Sequence, residues 1–246
     1  MQVTIVGAGN MGRGIGSRAV AGGNDVELVD RNPEDSRTLA EELGPLARID
    51  HSVTGEVVVL ALPYDEARKA IAEHRDAIAG RIAVDIVNPV EWSTMDTVTT
   101  PADTSAAKET ARPVPEGTRV VKAFNTTFAK TLVAGEADGQ KLEVLIASDD
   151  DAAKATVAAL VEAGGMRATD VGPLRRARIL EQVGLFHIAI QEQLGSGFAS
   201  AISLRLLNRT PRQHASFRGA CGGWPAITVP SCPARSRTAR SSATAS

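Results

Sequence analysis

Apolar and polar positions along the chain alternate between two patterns. Short, nearly continuous apolar runs at 2–6, 25–29, 56–62, 81–87, 118–124 and 142–147 predict buried strands, and a last strand is expected at 167–171. Between them, at 11–21, from Pro33 to about Leu43, at 65–79 and at 152–163, apolar residues recur at helical spacing. Pro33 suits a first helical turn, where a backbone N–H would have no helical partner in any case. A strand that is apolar along its whole length has no solvent face. Strand–helix alternation of this kind therefore predicts an α/β fold with a parallel sheet covered by helices on both faces.

Two stretches break the rhythm. Residues 92–115 are rich in Thr, Ser and Pro and predict a long loop with one helical piece around 102–111. Beyond Pro173 the pattern is helical to about residue 207, interrupted near Gly195 and Gly197. Asp149, Asp150 and Asp151 precede an apolar helix, where carboxylates suit the positive end of the helix dipole better than they suit a metal. No internal repeat is visible.

Composition narrows the function classes. The longest apolar runs are far too short to cross a bilayer. The N-terminus enters a strand pattern at once, without the basic region or cleavage site of a secretory signal. Only two cysteines occur, Cys221 and Cys232, so neither a disulfide framework nor a thiolate metal site is expected, and no metal. A cytoplasmic protein is the default expectation. Of the 27 basic residues, seven arginines lie from Arg205 onward, where no acid occurs; the first 204 residues thus hold 20 basic and all 29 acidic residues, a net of −9. This acidic body offers no basic stripe interleaved with aromatics, so no nucleic-acid partner is expected. The Arg/Ser/Thr/Ala/Pro-rich tail reads as disordered or as a non-native extension.

The candidate chemistry lies at the first strand–helix junction. Gly7-Ala8-Gly9-Asn10-Met11-Gly12 is a G-x-G-x-x-G between a predicted strand and a helix, and Asp30 ends the second strand eighteen residues past Gly12. Gly7 would permit the tight turn, Gly9 the approach of a pyrophosphate, and Gly12 close packing of helix on strand. The exposed amides of the helix N-terminus would then hold the phosphates. An acid at position 30 accepts hydrogen bonds from ribose hydroxyls and favours NAD. Arg31 follows it and Arg37 lies on the next helix; either could offset repulsion of a 2′-phosphate, leaving NAD and NADP both open.

At this point the chain resembles a known family, the NADPH-dependent reductases of the deazaflavin coenzyme F420, whose relatives include the cytosolic domains of transmembrane ferric reductases. The stretches that carry the resemblance are VTIVGAGNMGRGIGSRAVAGG, VVVLALPYDEA, DIVNP, RVVKAFNTTFAKTL, LEVLIASDDDAAKATVAALVEAGG and DVGPLRRARILEQ, within about residues 1–204. The resemblance implies a Rossmann domain over 1–140, a small C-terminal part over 141–207 completing the sheet and substrate cleft, and a tail at 208–246 outside both. It also implies hydride exchange between NADPH and coenzyme F420 without a catalytic side chain, because the cofactors supply the reactivity. By position, Leu62 and Pro63 would line the dinucleotide cleft, Asn88 and Pro89 would lie near the nicotinamide, and Asn125, Thr126 and Thr127 would face the deazaflavin. Ordinary turn chemistry is the competing reading for Asn88 and Asn125. A homodimer is the assembly that the family suggests. One departure stands out: the family usually has Ser or Thr before the arginine after the second strand, where this chain has Asp30-Arg31.

Other readings stay open at the level of sequence. A flavin or ferric reductase would share the fold. A two-domain hydroxyacid or imine dehydrogenase needs a long helical second domain, commonly with a lysine acid, and no lysine follows Val171. A non-catalytic sensor of the dinucleotide's redox state would carry the same glycine turn. His187, in an apolar helical stretch, reads as a partly buried structural histidine rather than a proton donor to a flavin. His51 and His74 need no role. Arg175, Arg176 and Arg178 could face an acidic coenzyme tail, but a solvated helix face is the plainer reading.

Overall fold

The computed structural model describes residues 1–50 and 52–205. The readings of the tail, with Cys221 and Cys232, and of His51 lie outside the described residues. In chain order the elements are β1 (Gln2–Val6), α1 (Asn10–Ala21), β2 (Asp25–Val29), α2 (Pro33–Leu43), β3 (Ala47–Ile49), β4 (Val57–Leu60), α3 (Tyr64–Glu73), α4 (Arg75–Ile78), β5 (Ile82–Asp85), α5 (Ala106–Ala111), β6 (Arg119–Lys122), α6 (Ala129–Ala134), β7 (Glu136–Ala137), β8 (Gln140–Lys141), β9 (Glu143–Ala147), α7 (Asp151–Ala163), β10 (Arg167–Gly172), α8 (Ala177–Ala189) and α9 (Gln191–Leu194). No helix among the described residues is long and apolar enough to cross a membrane.

Eight strands form one sheet in the order β10-β9-β6-β5-β4-β1-β2-β3. Strands β1 to β6 pair in parallel, and their order 3-2-1-4-5-6 is that of the doubly wound dinucleotide-binding sheet. The fold class expected from the alternation is therefore present, with the direction of winding reversing between β1 and β4. Successive strand residues supply opposite faces. Val57 and Val59 enter the core under α1, α2, α6 and α7, whereas Val58 and Leu60 enter the core under α3, α4 and α5. Each fully buried Val or Leu stabilises by about 1.5–3 kcal/mol, so neither helix layer can be removed cheaply.

Beyond β6 the sheet is no longer parallel. Strand β9 joins β6 antiparallel at the pair Lys122–Ala147, and β10 runs parallel to β9. The Ser148 hydroxyl donates to the Val120 carbonyl at 2.7 Å and ties this junction.

Several boundaries differ from the sequence pattern. The helix expected over 65–79 is divided at His74 into α3 and α4. The helical piece of the long loop is confined to α5, which Ser105 caps by accepting from the Lys108 N–H at 3.2 Å. The helical reading to residue 207 ends at Leu194, where Gly195 takes a left-handed conformation. In the acidic run, Asp150 caps α7 through the Ala153 N–H at 2.7 Å, and Asp149 accepts from the Leu174 N–H at 3.0 Å.

Candidate functional site

The glycine turn joins β1 to α1 at the carboxyl edge of the sheet, beside the reversal of strand order. Gly7 has φ +109°, and a Cβ there would lie 2.5 Å from the Ala61 carbonyl oxygen. A Cβ on Gly12 would lie 2.0 Å from the Gly7 carbonyl oxygen and 3.4 Å from Ile5. At Gly9, in contrast, a Cβ would meet nothing within 4 Å. Two glycines thus serve close packing of the chain on itself, and the middle one leaves an open approach to the backbone. No side chain caps α1, and no acid stands in its first turn, so its N-terminal amides are free for an anion. The turn fits a dinucleotide phosphate.

Asp30 braces this turn. One carboxylate oxygen accepts from the Ala8 N–H at 2.7 Å and the other from the Asn32 N–H at 2.9 Å. Arg31 points to Glu66 on α3 and forms an ion pair with it. Arg37 pairs with Glu34 at 2.6 Å on its own helix. The sequence neighbours of Asp30 are thus engaged with other carboxylates.

A cleft of about 1170 Å³ runs along the carboxyl ends of β1, β4, β5 and β6. Of the residues singled out by sequence, Gly9, Asn10, Met11, Leu62, Pro63, Asn88, Pro89, Asn125 and Thr127 line it. A smaller chamber of about 430 Å³ adjoins it, bounded by Gly7, Ala8, Asp30, Asp35, Thr38 and Arg13 among others. Gly12, Arg31, Arg37 and Thr126 line neither space. The far wall of the cleft includes Phe124, Phe128, Phe198 and Trp92, none of which the sequence pattern distinguished. They come from the β6 exit, the segment after α9 and the long loop, segments with no shared period to link them.

Asn88 and Asn125 clasp each other across the cleft floor. The Asn88 amide donates to the Asn125 backbone carbonyl at 2.6 Å, and the Asn125 amide donates to Asn88 Oδ1 at 2.9 Å and to the Leu180 carbonyl at 2.8 Å. Gly184 lets α8 approach this clasp, since a Cβ there would lie 2.4 Å from Asn88 Oδ1. Asn125 Oδ1 is buried without a hydrogen-bond partner. Such an acceptor costs about 1–3 kcal/mol until a donor reaches it. Phe124 precedes it at φ +61°, uncommon for a bulky residue, and Thr127 holds it there by donating from its N–H (3.0 Å) and its hydroxyl (2.7 Å) to the Phe124 carbonyl.

Beneath the floor lies a buried charge cluster that sequence reading passed over. Lys122 donates to Asp85 at 2.7 Å, to Glu181 at 3.1 Å and to the Val87 carbonyl, and all three charged side chains are almost fully shielded from solvent. Glu181 also accepts from the Ala106 and Ala107 N–H groups at the start of α5. Burial pushes the Glu181 carboxyl up, and Lys122 pulls it back only in part. The cluster ties β5, β6, α5 and α8 together directly under Val87–Asn88.

His187 sits behind the cleft's aromatic wall. Its Nδ1 faces the Thr126 carbonyl at 3.3 Å, its Nε2 faces the Ser200 hydroxyl at 2.9 Å, and its ring centroid lies 4.2 Å from that of Phe128. Burial pushes its imidazole below the usual value. The structural reading of this histidine agrees with that setting.

Comparison with known proteins bears on the same region. Residues 2–89 match the model of the family described as NADP oxidoreductase coenzyme F420-dependent. The chain is 30% identical over 200 residues to the F420-dependent NADP reductase of Methanothermobacter thermautotrophicus, covering 74% of this chain and 86% of that one. It is 33% identical over 184 residues to the metalloreductase STEAP3 of Rattus norvegicus, but that match takes in 75% of this chain and only 36% of the rat protein. A crystal structure from Arthrobacter sp. FB24, assigned as an F420-dependent NADP-reductase, superimposes with a TM-score of 0.72 at 26% identity, over 82% of this chain and 99% of that chain. Glycine turn, strand order and these relatives agree: the chain belongs to the F420-dependent NADP oxidoreductase family and is an oxidoreductase.

Proposed function

We propose that the protein transfers a hydride between a nicotinamide dinucleotide and a deazaflavin of the coenzyme F420 type. The observation that carries this reading is the single continuous cleft leading from the glycine turn to the aromatic wall. Its volume, about 1170 Å³, exceeds the roughly 300–1,000 Å³ usual for one small ligand. It has room for the nicotinamide end of a dinucleotide with a second ring system against it. The rings supply the chemistry themselves, one carbon giving and the other accepting two electrons with a proton.

The side chains then have positioning work. In this reading the Gly7–Gly12 turn and the start of α1 hold the pyrophosphate, Leu62 and Pro63 cover it, and Asn88 with Pro89 borders the nicotinamide. Asn125 and Thr127, which line the cleft, face the second ring. Apolar walls at Phe124 and Phe128 exclude water, which protects a hydride in transit. Residues 1–140 act as the dinucleotide-binding part, and the described residues from 141 onward as the part that completes the sheet and the cleft.

The test is direct. Purified protein mixed with reduced dinucleotide and oxidised F420 should bleach the deazaflavin absorbance and oxidise the dinucleotide with one-to-one stoichiometry. Tight dinucleotide binding without turnover would overturn the reductase reading in favour of a redox sensor.

A further inference from the structure

The chamber beside the glycine turn bears on which dinucleotide the protein takes. We infer that the protein selects the dinucleotide with a free 2′-hydroxyl, NADH, over its 2′-phosphorylated counterpart. This deepens the proposed function and rests on the cleft being a dinucleotide site.

The chamber presents two carboxylates, Asp30 and Asp35, and one cation, Arg13. Arg13 forms a surface ion pair, its Nε donating to Glu42 at 2.8 Å. The two other arginines nearby in sequence are partnered as well, Arg31 with Glu66 and Arg37 with Glu34, and neither lines the chamber. A 2′-phosphate brings a charge of about −1.5 to −2 at neutral pH and only accepting oxygens. In the chamber it would meet two like charges against the one arginine that lines it, Arg13.

Geometry closes the alternative of Asp30 moving aside. Its two oxygens are pinned by separate backbone N–H groups, Ala8 at 2.7 Å and Asn32 at 2.9 Å. Swinging away would unpair both and loosen the turn that cradles the phosphates. Each oxygen still has lone-pair capacity beyond its one bond. A ribose diol can donate to that capacity; a phosphate ester cannot. The position that braces the turn is therefore also the one that reads the sugar.

The experiment measures the dissociation constants of NADH and NADPH by calorimetric titration of the full chain at fixed ionic strength, with no deazaflavin present. NADH is expected to bind at least about tenfold more tightly. Tighter NADPH binding would overturn the inference while leaving the dinucleotide site intact. Failure of both to bind would overturn the site reading itself. Asp30→Asn, which keeps the shape and removes the charge, should lower the NADH preference about tenfold. Asp35→Asn, which lies away from the braced turn, should lower it in the same direction and carries the test if the first variant does not fold. A preference unmoved in the folded variants would show that these carboxylates do not select the sugar.

Discussion

A methyl group added at Gly9 and one added at Gly12 meet opposite surroundings. The first enters open space at the lip of the cleft, and the second strikes the Gly7 carbonyl. Gly9 has φ −75°, which alanine adopts freely. Gly9→Ala should therefore keep its unfolding free energy within about 0.5 kcal/mol while dinucleotide affinity falls at least about tenfold. Gly12→Ala should instead destabilise the fold by about 1–3 kcal/mol, the usual cost of overpacking. Denaturant unfolding beside calorimetric titration separates the two. Gly184→Ala belongs to the same class, since its methyl group would press on the Asn88 side chain and break the clasp with Asn125; a loss of about 1–3 kcal/mol is expected. The glycine turn was legible in the sequence because strand, turn and helix each leave a local signature there. Gly184 was not, because the side chain that it makes room for is supplied by another element.

Charges inside apolar runs show the same division at the scale of elements. Lys122 and Asp85 stand at the ends of β6 and β5, and Glu181 stands on α8, far along the chain. Each looks locally like an isolated interruption. Only the sheet order and the packing of α8 bring them to one point. Replacing Lys122 by Met would leave two carboxylates buried without a cation, and removal of one member of a buried ion cluster costs about 3–5 kcal/mol. Glu181→Gln leaves a one-to-one Lys122–Asp85 pair, so its loss in chemical denaturation should be less than half as large. Equal losses in the two variants would mean that packing rather than charge balance sets the cost. The strands themselves were readable because both of their faces are buried. Strand β3 was not, being an edge of three residues that are exposed or half-buried. The β7–β8 hairpin was marked by Asp138-Gly139, both at positive φ, a turn signal too short to compete with the surrounding pattern.

Across the whole molecule, His187 links three distant parts of the chain: α8, the β6 exit at Thr126, and the segment after α9 at Ser200. Carbonyl oxygens only accept, so Nδ1–H donates to Thr126 and the neutral ring takes the Ser200 hydroxyl at Nε2. Burial lowers the imidazole's affinity for a proton in the folded state relative to the unfolded chain, whose histidine titrates near 6.5. As pH falls below about 6.5 the unfolded chain binds more protons than the folded one, so stability falls with pH until the folded value is passed. Above about 6.5 both states are neutral at this site and the contribution is level. The wild type should therefore lose thermal stability progressively as pH falls below about 6.5. His187→Gln, which retains an amide donor and an acceptor but does not titrate, should flatten that slope. Because the ring backs Phe128, and Phe128 lines the cleft, the same fall in pH should weaken ligand binding in the wild type more than in the variant. Parallel slopes in both proteins would assign the acid sensitivity to another group and leave His187 as a packing residue alone.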